Sequence, residues 1–321
     1  MQKDLSKYIT KFRKLRVDRS HGVAPHKPIL LISVLQACSN GLVSDKRVFI
    51  TPELVALFRA NWNLLVDTNH DCRISYPFYY MKSEGFWKLT PKRGFDDIDS
   101  MGSLMKSFSK LNAAVECAVV DDDLFALIKN KETNGILIEF LLAEYFPTNK
   151  GKYQESDQVQ KNMFSEIESK ILYEPSSEYK KEIEDLIEQK NEEEIYLRGS
   201  LFKREIPKLY NNMCCISEMK IDSTLNVSMV DACHIVPFSL SYDDTITNGI
   251  ALCPNLHRAF DRGLIAIDDD YKVLVSTKFV EQDSLYGIRD FDRKRIRLPN
   301  SSNQHPSKEN FSWHRNNIFQ A

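Results

Sequence analysis

The stretch from Asp231 to Arg258 constrains this chain more than any other. It reads Asp231-Ala-Cys-His234-Ile-Val-Pro237, then Asn248, then Leu252-Cys-Pro-Asn-Leu-His257-Arg258. His234, Asn248 and His257 are spaced 14 and 9 residues apart. One histidine lies beside a turn-forming proline, the asparagine lies in a loop, and the second histidine lies on a short helix expected over residues 255–260. Two β segments are expected flanking residues 214–233, and a hairpin is expected from 264–267 and 272–275 around Asp268-Asp-Asp-Tyr271.

These residue types suit one chemistry. Hydrolysis of a phosphodiester needs an activated water, stabilised charge on the phosphate and relief for the leaving 3′ oxygen. A neutral imidazole accepts a proton from water near pH 7. A divalent ion can bind the phosphate and stabilise the leaving alkoxide. Few protein ligands are needed, because water and phosphate complete the coordination.

Residues 198–300 resemble the HNH endonucleases, whose fold is called ββα-metal. Cys215-Ile-Ser217, Asp231 to Ser239, Asn248-Gly-Ile-Ala-Leu-Cys253 and Leu256 to Leu264 carry the resemblance. It implies that His234 is a general base, Asn248 fixes the loop that positions it, and His257 is a metal ligand. It makes Asp231 the acidic ligand of a Mg2+ or Mn2+ ion. Cys233 stands where some relatives place an acid or histidine ligand, which is a departure. Many relatives also hold a structural zinc on two Cys-x-x-Cys pairs. Here Ser217 follows Cys215 and Leu256 follows Cys253 without completing either pair, so no four-sulfur zinc site is expected. Cys214, Cys215 and Cys253 are expected to be small buried hydrophobes.

The first half of the chain has a different character. Residues 1–30 hold Lys3, Lys7, Lys11, Arg13, Lys14, Arg16, Arg19 and Lys27 against Asp4 and Asp18, although the net charge of the whole chain is −2. An acidic stretch over 176–195 offsets this basic arm in the sum, so one phosphate-binding face remains possible. Two segments interleave basic, aromatic and proline residues: Lys11 to Leu31, containing Pro25-His-Lys-Pro28, and Arg73 to Trp87, containing Tyr76-Pro-Phe78. Together they resemble the sulfur-binding domain of phosphorothioate-dependent McrA-type restriction enzymes, over residues 5–147. The resemblance implies an apolar cup from Tyr76, Pro77 and Tyr80. Arg73, His26 and Lys27 would hold the rest of the phosphate, and the basic helix through Arg16 and Arg19 would add salt-dependent affinity. Phe86 and Trp87 read as core.

The chain is therefore expected to be α+β. A mixed DNA-reading domain would span 1–150, an acidic helical connector 151–197 and the nuclease domain 198–321. Helices are expected over 4–20, from Pro28 to Cys38, over 52–64, over 124–146, over 178–198 and over 198–210. Residues 76–81 and 85–89 read as two strands around a turn, and Phe49 to Thr51 as another short strand. The seven scattered cysteines read as reduced thiols, and neither a signal core nor an apolar run of spanning length stands out, so a cytoplasmic protein is expected. The expected partner is double-stranded DNA carrying a phosphorothioate or another modification, with a homodimer cutting both strands. Readers of methylated or hydroxymethylated cytosine or of unmodified sequence, and a non-catalytic DNA-binding regulator, stay open as alternatives.

Overall fold

The computed structural model describes residues 2–17, 23–153, 157–221, 228–282 and 287–321. It divides into two compact units, Met1–Ser165 and Glu166–Ala321. Among the described residues no helix is long and apolar enough to cross a membrane.

The first unit is built round one helix. Its elements are α1 (Gln2–Arg13), α2 (His26–Ser39), β1 (Arg47–Val48), α3 (Pro52–Leu65), α4 (Ser75–Tyr80), β2 (Trp87–Pro91), α5 (Phe108–Ala114), β3 (Val115–Val120), α6 (Asp122–Lys129), α7 (Lys131–Tyr145) and α8 (Lys150–Tyr153). α2 is apolar on every face, so it can only be a central helix. Ile29, Leu30, Ile32, Val34 and Leu35 are all at most 1% exposed, and α3 and α7 cover it. Two asparagines caught between α2 and its neighbours donate hydrogen bonds. Asn61 donates to Ser33 and Gln36, and Asn134 donates to the carbonyls of Leu35 and Ile128. A small antiparallel sheet, ordered β1-β3-β2, closes one side.

Several elements differ from the sequence pattern. Tyr76 to Tyr80 is helix, not strand. Pro77 sits in the first turn of α4, where a missing N–H costs nothing, and the adjacent Phe78 and Tyr79 are both buried. Trp87 then opens β2 and donates its indole N–H to the Phe78 carbonyl at 3.0 Å. α2 begins at His26, so Pro28 is its third residue rather than its first. α1 ends at Arg13, short of residue 20, and β1 precedes Phe49. Phe86 and Trp87 are core, at 0% and 1% exposure.

Helix α9 (Asp157–Tyr173) runs across the boundary between the units. The second unit continues with α10 (Ser176–Glu188), α11 (Glu192–Leu209), β4 (Asp231–His234), α12 (Phe238–Ser241), β5 (Gly249–Leu252), α13 (Pro254–Asp261), β6 (Ile265–Ile267), β7 (Val273–Val275) and α14 (Lys308–Asn317). The helix expected over 178–198 is broken. Lys190 turns left-handed at φ 54°, and Asn191 caps a new helix by accepting from the Glu194 N–H. That new helix absorbs the one expected from Arg198 and continues to Leu209. Buried Arg198 of α11 ties that helix to α10 through Glu182 and also meets Glu194 one turn back on α11. Antiparallel β4 and β5 lie on α11, and α13 packs against both strands.

Gly249 marks where strand and helix meet most closely. A Cβ there would lie 2.4 Å from Ile206 Cδ1 and 2.9 Å from Phe202 Cε2. Gly249→Ala should therefore cost about 1–3 kcal/mol through overpacking. Urea unfolding followed by circular dichroism measures this, and an unchanged midpoint would show that α11 yields freely.

Candidate active site and nucleic-acid interface

The second unit brings the three sequence-selected polar residues to one place. β4 delivers His234 opposite Gly249 on β5. The loop between the strands folds back, and Asn248 closes it. Its carboxamide oxygen accepts the Val236 N–H at 2.9 Å, and its nitrogen donates to the carbonyls of Val236 and Asp243 at 2.9 and 3.0 Å. Asn248 is fully buried, so it acts on the loop and not on solvent. α13 begins at Pro254, whose missing N–H is harmless there, and presents His257 one turn in.

His234, His257 and Asp261 line one cavity of about 280 Å³ with Phe238 and His314. Phe202 of α11 stacks on the His234 ring at 4.0 Å and 8°. His234 Nε2 lies 2.8 Å from Asp244 Oδ1, and Asp244 is 2% exposed. His257 has a carboxylate on each side: Asp231 at 3.8 Å from Nδ1 and Asp261 at 3.5 Å from Nε2. Cys233 lies 3.9 Å from Asp261, and burial pushes its thiol well above the usual range, with Asp261 adding to the shift. Cys233, His257 and Asp261 are close enough together to hold an ion among the described residues. A histidine nitrogen and the Asp261 carboxylate fit a divalent cation that keeps several waters, whereas Asp231 lies on the other ring nitrogen of His257.

Residues the sequence reading passed over also shape this site. Asp244, beside Asp243, lies outside the motifs singled out in the sequence. Asp261 follows His257 by four residues, a helical-face spacing that could have exposed it. His314 is far away in sequence; it stacks on Phe260 at 3.7 Å and bonds the Phe260 carbonyl. Cys214, Cys215 and Cys253 are buried. Ser217 lies 3.8 Å from the Cys253 sulfur, and its N–H meets the Cys214 sulfur at 3.4 Å.

The first unit gathers most of the other sequence-selected residues. Arg16, His26, Lys27, Tyr76, Pro77 and Tyr80 line a cavity of about 320 Å³, with Val17, Ala24 and Ser83 completing it. The N-terminus of α2 supplies His26 and Lys27, and α4 supplies the aromatic wall. His26 packs on Trp62 at 4.7 Å and on Tyr76 at 5.7 Å. Its Nε2 bonds the Asp71 carbonyl at 2.9 Å. Burial pushes its pKa down to about 4, against that bond, so it is a neutral ring. The Lys27 ammonium is already held by Glu84 and Ser83. Arg73 stands outside the lining, 3.8 Å from Asp71. Arg19 lies outside the described residues.

Residues 214–268 match the family model described as HNH endonuclease. The chain carries an HNH endonuclease domain. Among solved structures the chain is similar to one described as "Modification dependent TagI restriction endonuclease", at 19% identity over 36% of this chain and 37% of that one, with a TM-score of 0.30. It thus spans little more than a third of that protein's length. It is also similar to one described as "Sulfur binding domain of SprMcrA complexed with phosphorothioated DNA", at 17% identity over 47% of this chain and 96% of that one, with a TM-score of 0.36. No match was found among curated proteins. The HNH domain contains His234, Asn248 and His257, and with them Asp231, Asp244 and Asp261.

His314 yields a pH prediction for this unit. Burial pushes its pKa down to about 4, against the bond to Phe260. The unfolded chain takes up this proton near the ordinary histidine value of about 6.5. Acidification from pH 7 to 4 therefore protonates the unfolded state first and lowers stability. In His314→Gln that loss is absent. The stability lead of wild type over the variant should shrink by up to about 3 kcal/mol across this window. Urea titrations at pH 7, 5.5 and 4 measure it, and a constant lead would reject the assignment.

Proposed function

We propose that the protein is a modification-dependent endonuclease, reading a phosphorothioate in double-stranded DNA through its first unit and hydrolysing a phosphodiester in its HNH domain. One observation carries the reader half of this reading. Six residues chosen from two separate sequence segments line a single cavity with a cation on one side and an aromatic and proline wall on the other. Sulfur is larger and less well hydrated than the phosphate oxygen it replaces, so an apolar wall costs it less. Tyr76, Pro77 and Tyr80 provide that wall. Arg16 at the rim suits the remaining phosphate charge, and Lys27 already has Glu84 as its counter-ion.

In the HNH domain His234 takes a proton from water, the water oxygen attacks phosphorus, and the bond to the 3′ oxygen breaks. Asn248 keeps the His234 loop in place. His257 would hold a divalent ion, Mg2+ or Mn2+, with Asp261 on its Nε2 side or with Asp231 on its Nδ1 side, and the ion when bound supplies charge stabilisation to the phosphate and the leaving oxygen. One such site cuts one strand, so cleavage of a duplex calls for two copies of the chain.

Paired duplexes that differ by one sulfur test the reading. The sulfur-bearing duplex should be cut, and its partner should not. His234→Ala should lose cleavage by about 100-fold or more while keeping binding. Tyr76→Ala should reduce the binding preference for sulfur by about tenfold, the equivalent of about 1.4 kcal/mol of lost apolar contact. Equal cutting of both duplexes, or a preference for methylcytosine over sulfur, would overturn the phosphorothioate assignment and leave the nuclease standing.

A further inference from the structure

We propose that Asp244 is the positioning residue of His234, holding the imidazole in the tautomer whose lone pair lies on Nδ1. The inference rests on the nuclease reading above and adds a residue that the sequence motifs do not include.

Three contacts fix the ring. β4 sets its position, Phe202 stacks on its face at 4.0 Å, and Asp244 Oδ1 meets its Nε2 edge at 2.8 Å. Asp244 is 2% exposed, and a carboxylate so deeply buried needs a donor. A neutral imidazole carries one N–H. With that N–H on Nε2 it satisfies the carboxylate; with it on Nδ1, two lone pairs would face each other at 2.8 Å. The first arrangement is the stable one, and it leaves Nδ1 as the acceptor for a water proton.

The two neighbouring acids have separate work. Asp243 accepts from the Thr245 N–H and hydroxyl, and takes Ser176 and Lys180 from α10. It holds the loop in shape and does not touch His234. Asp244 alone of the pair reaches the ring. Its contribution follows the general logic of a carboxylate behind a histidine base: it orients the ring and stabilises the imidazolium. The balance is simple. A water O–H bond breaks and an N–H bond forms at Nδ1. An O–P bond forms, the P–O3′ bond breaks, and the electron pair leaves on O3′, which takes a proton from solvent.

The test combines histidine-selective 15N labelling of the full chain with cleavage kinetics on the sulfur-bearing duplex. His234→Ala identifies the His234 resonances. In wild type, long-range 1H–15N spectra should show His234 with protonated Nε2 and bare Nδ1. Asp244→Asn should move population to the Nδ1–H form and lower kcat by about 100-fold or more, with KM and DNA affinity unchanged. Asp244→Glu should restore the wild-type tautomer in part. A wild-type His234 protonated at Nδ1 would overturn the proposal, as would an Asp244→Asn protein that keeps both tautomer and kcat. Should Asp244→Asn fail to fold, the wild-type spectrum still decides. If His234→Ala cuts as well as wild type, the base assignment of the preceding section fails, while the spectrum reports separately on Asp244.

Discussion

The second unit depends on the side chain of Asn248. One buried carboxamide ties together three backbone groups of a loop that joins two short strands. Those strands are only four residues each, too short to fix a loop of this length by their own ladder. Without the amide, Val236 and Asp243 would need other partners in a place where water does not reach. With it, Pro237, Asp244 and His234 come into one arrangement. The asparagine is therefore a structural member of the site, and its chemistry is that of backbone mimicry.

Helix α11 is the platform beneath. Its Phe202 supports the His234 ring, and its Ile206 fills the space that a side chain at Gly249 would need. Because the strand must come this close, the helix cannot shift without moving the histidine. Interiors at this density transmit displacement. The same helix is anchored from behind by buried Arg198, whose guanidinium meets Glu182 and Glu194 and lies over Tyr179. A second glycine, Gly263, ends α13 in the left-handed region at φ 69°. It leaves room for the carbonyl of Ile318, so the end of the chain lies on the helix that carries His257.

Much of this was legible in the sequence, and the reasons differ from place to place. The loop at Asn248, the short helix that carries His257 and the hairpin after it could be read because turn residues and apolar runs there agree with the tertiary structure, whereas β5 was not placed, and before β4 the described residues hold only an isolated Met213–Lys220 bridge. Thr51-Pro52 announced α3 through cap chemistry. Tyr76 to Tyr80 misled because aromatic residues favour strands on average, whereas here two adjacent rings enter the core and burial overrides the preference. The break at Lys190 was written locally, as Asn191 three residues before Glu194, but the dense acidic run hid it. Asp244 was not legible at all. Two successive acids before a threonine look like any solvated turn, and only the folded loop shows which one points inward.

The buried pairing of Lys27 with Glu84 has a consequence for how the first cavity handles charge. A lysine neutralised inside the protein releases no counter-ion when a nucleic acid arrives. It shapes and polarises the cavity wall without contributing to general attraction for polyanions. On α1, Lys7 is paired with Asp123 and Arg13 lies 3.6 Å from Glu144, but these pairs are exposed and loosen as salt rises. The charge inside the first cavity is thus set by the protein itself and responds little to ionic strength, unlike the exposed pairs of α1.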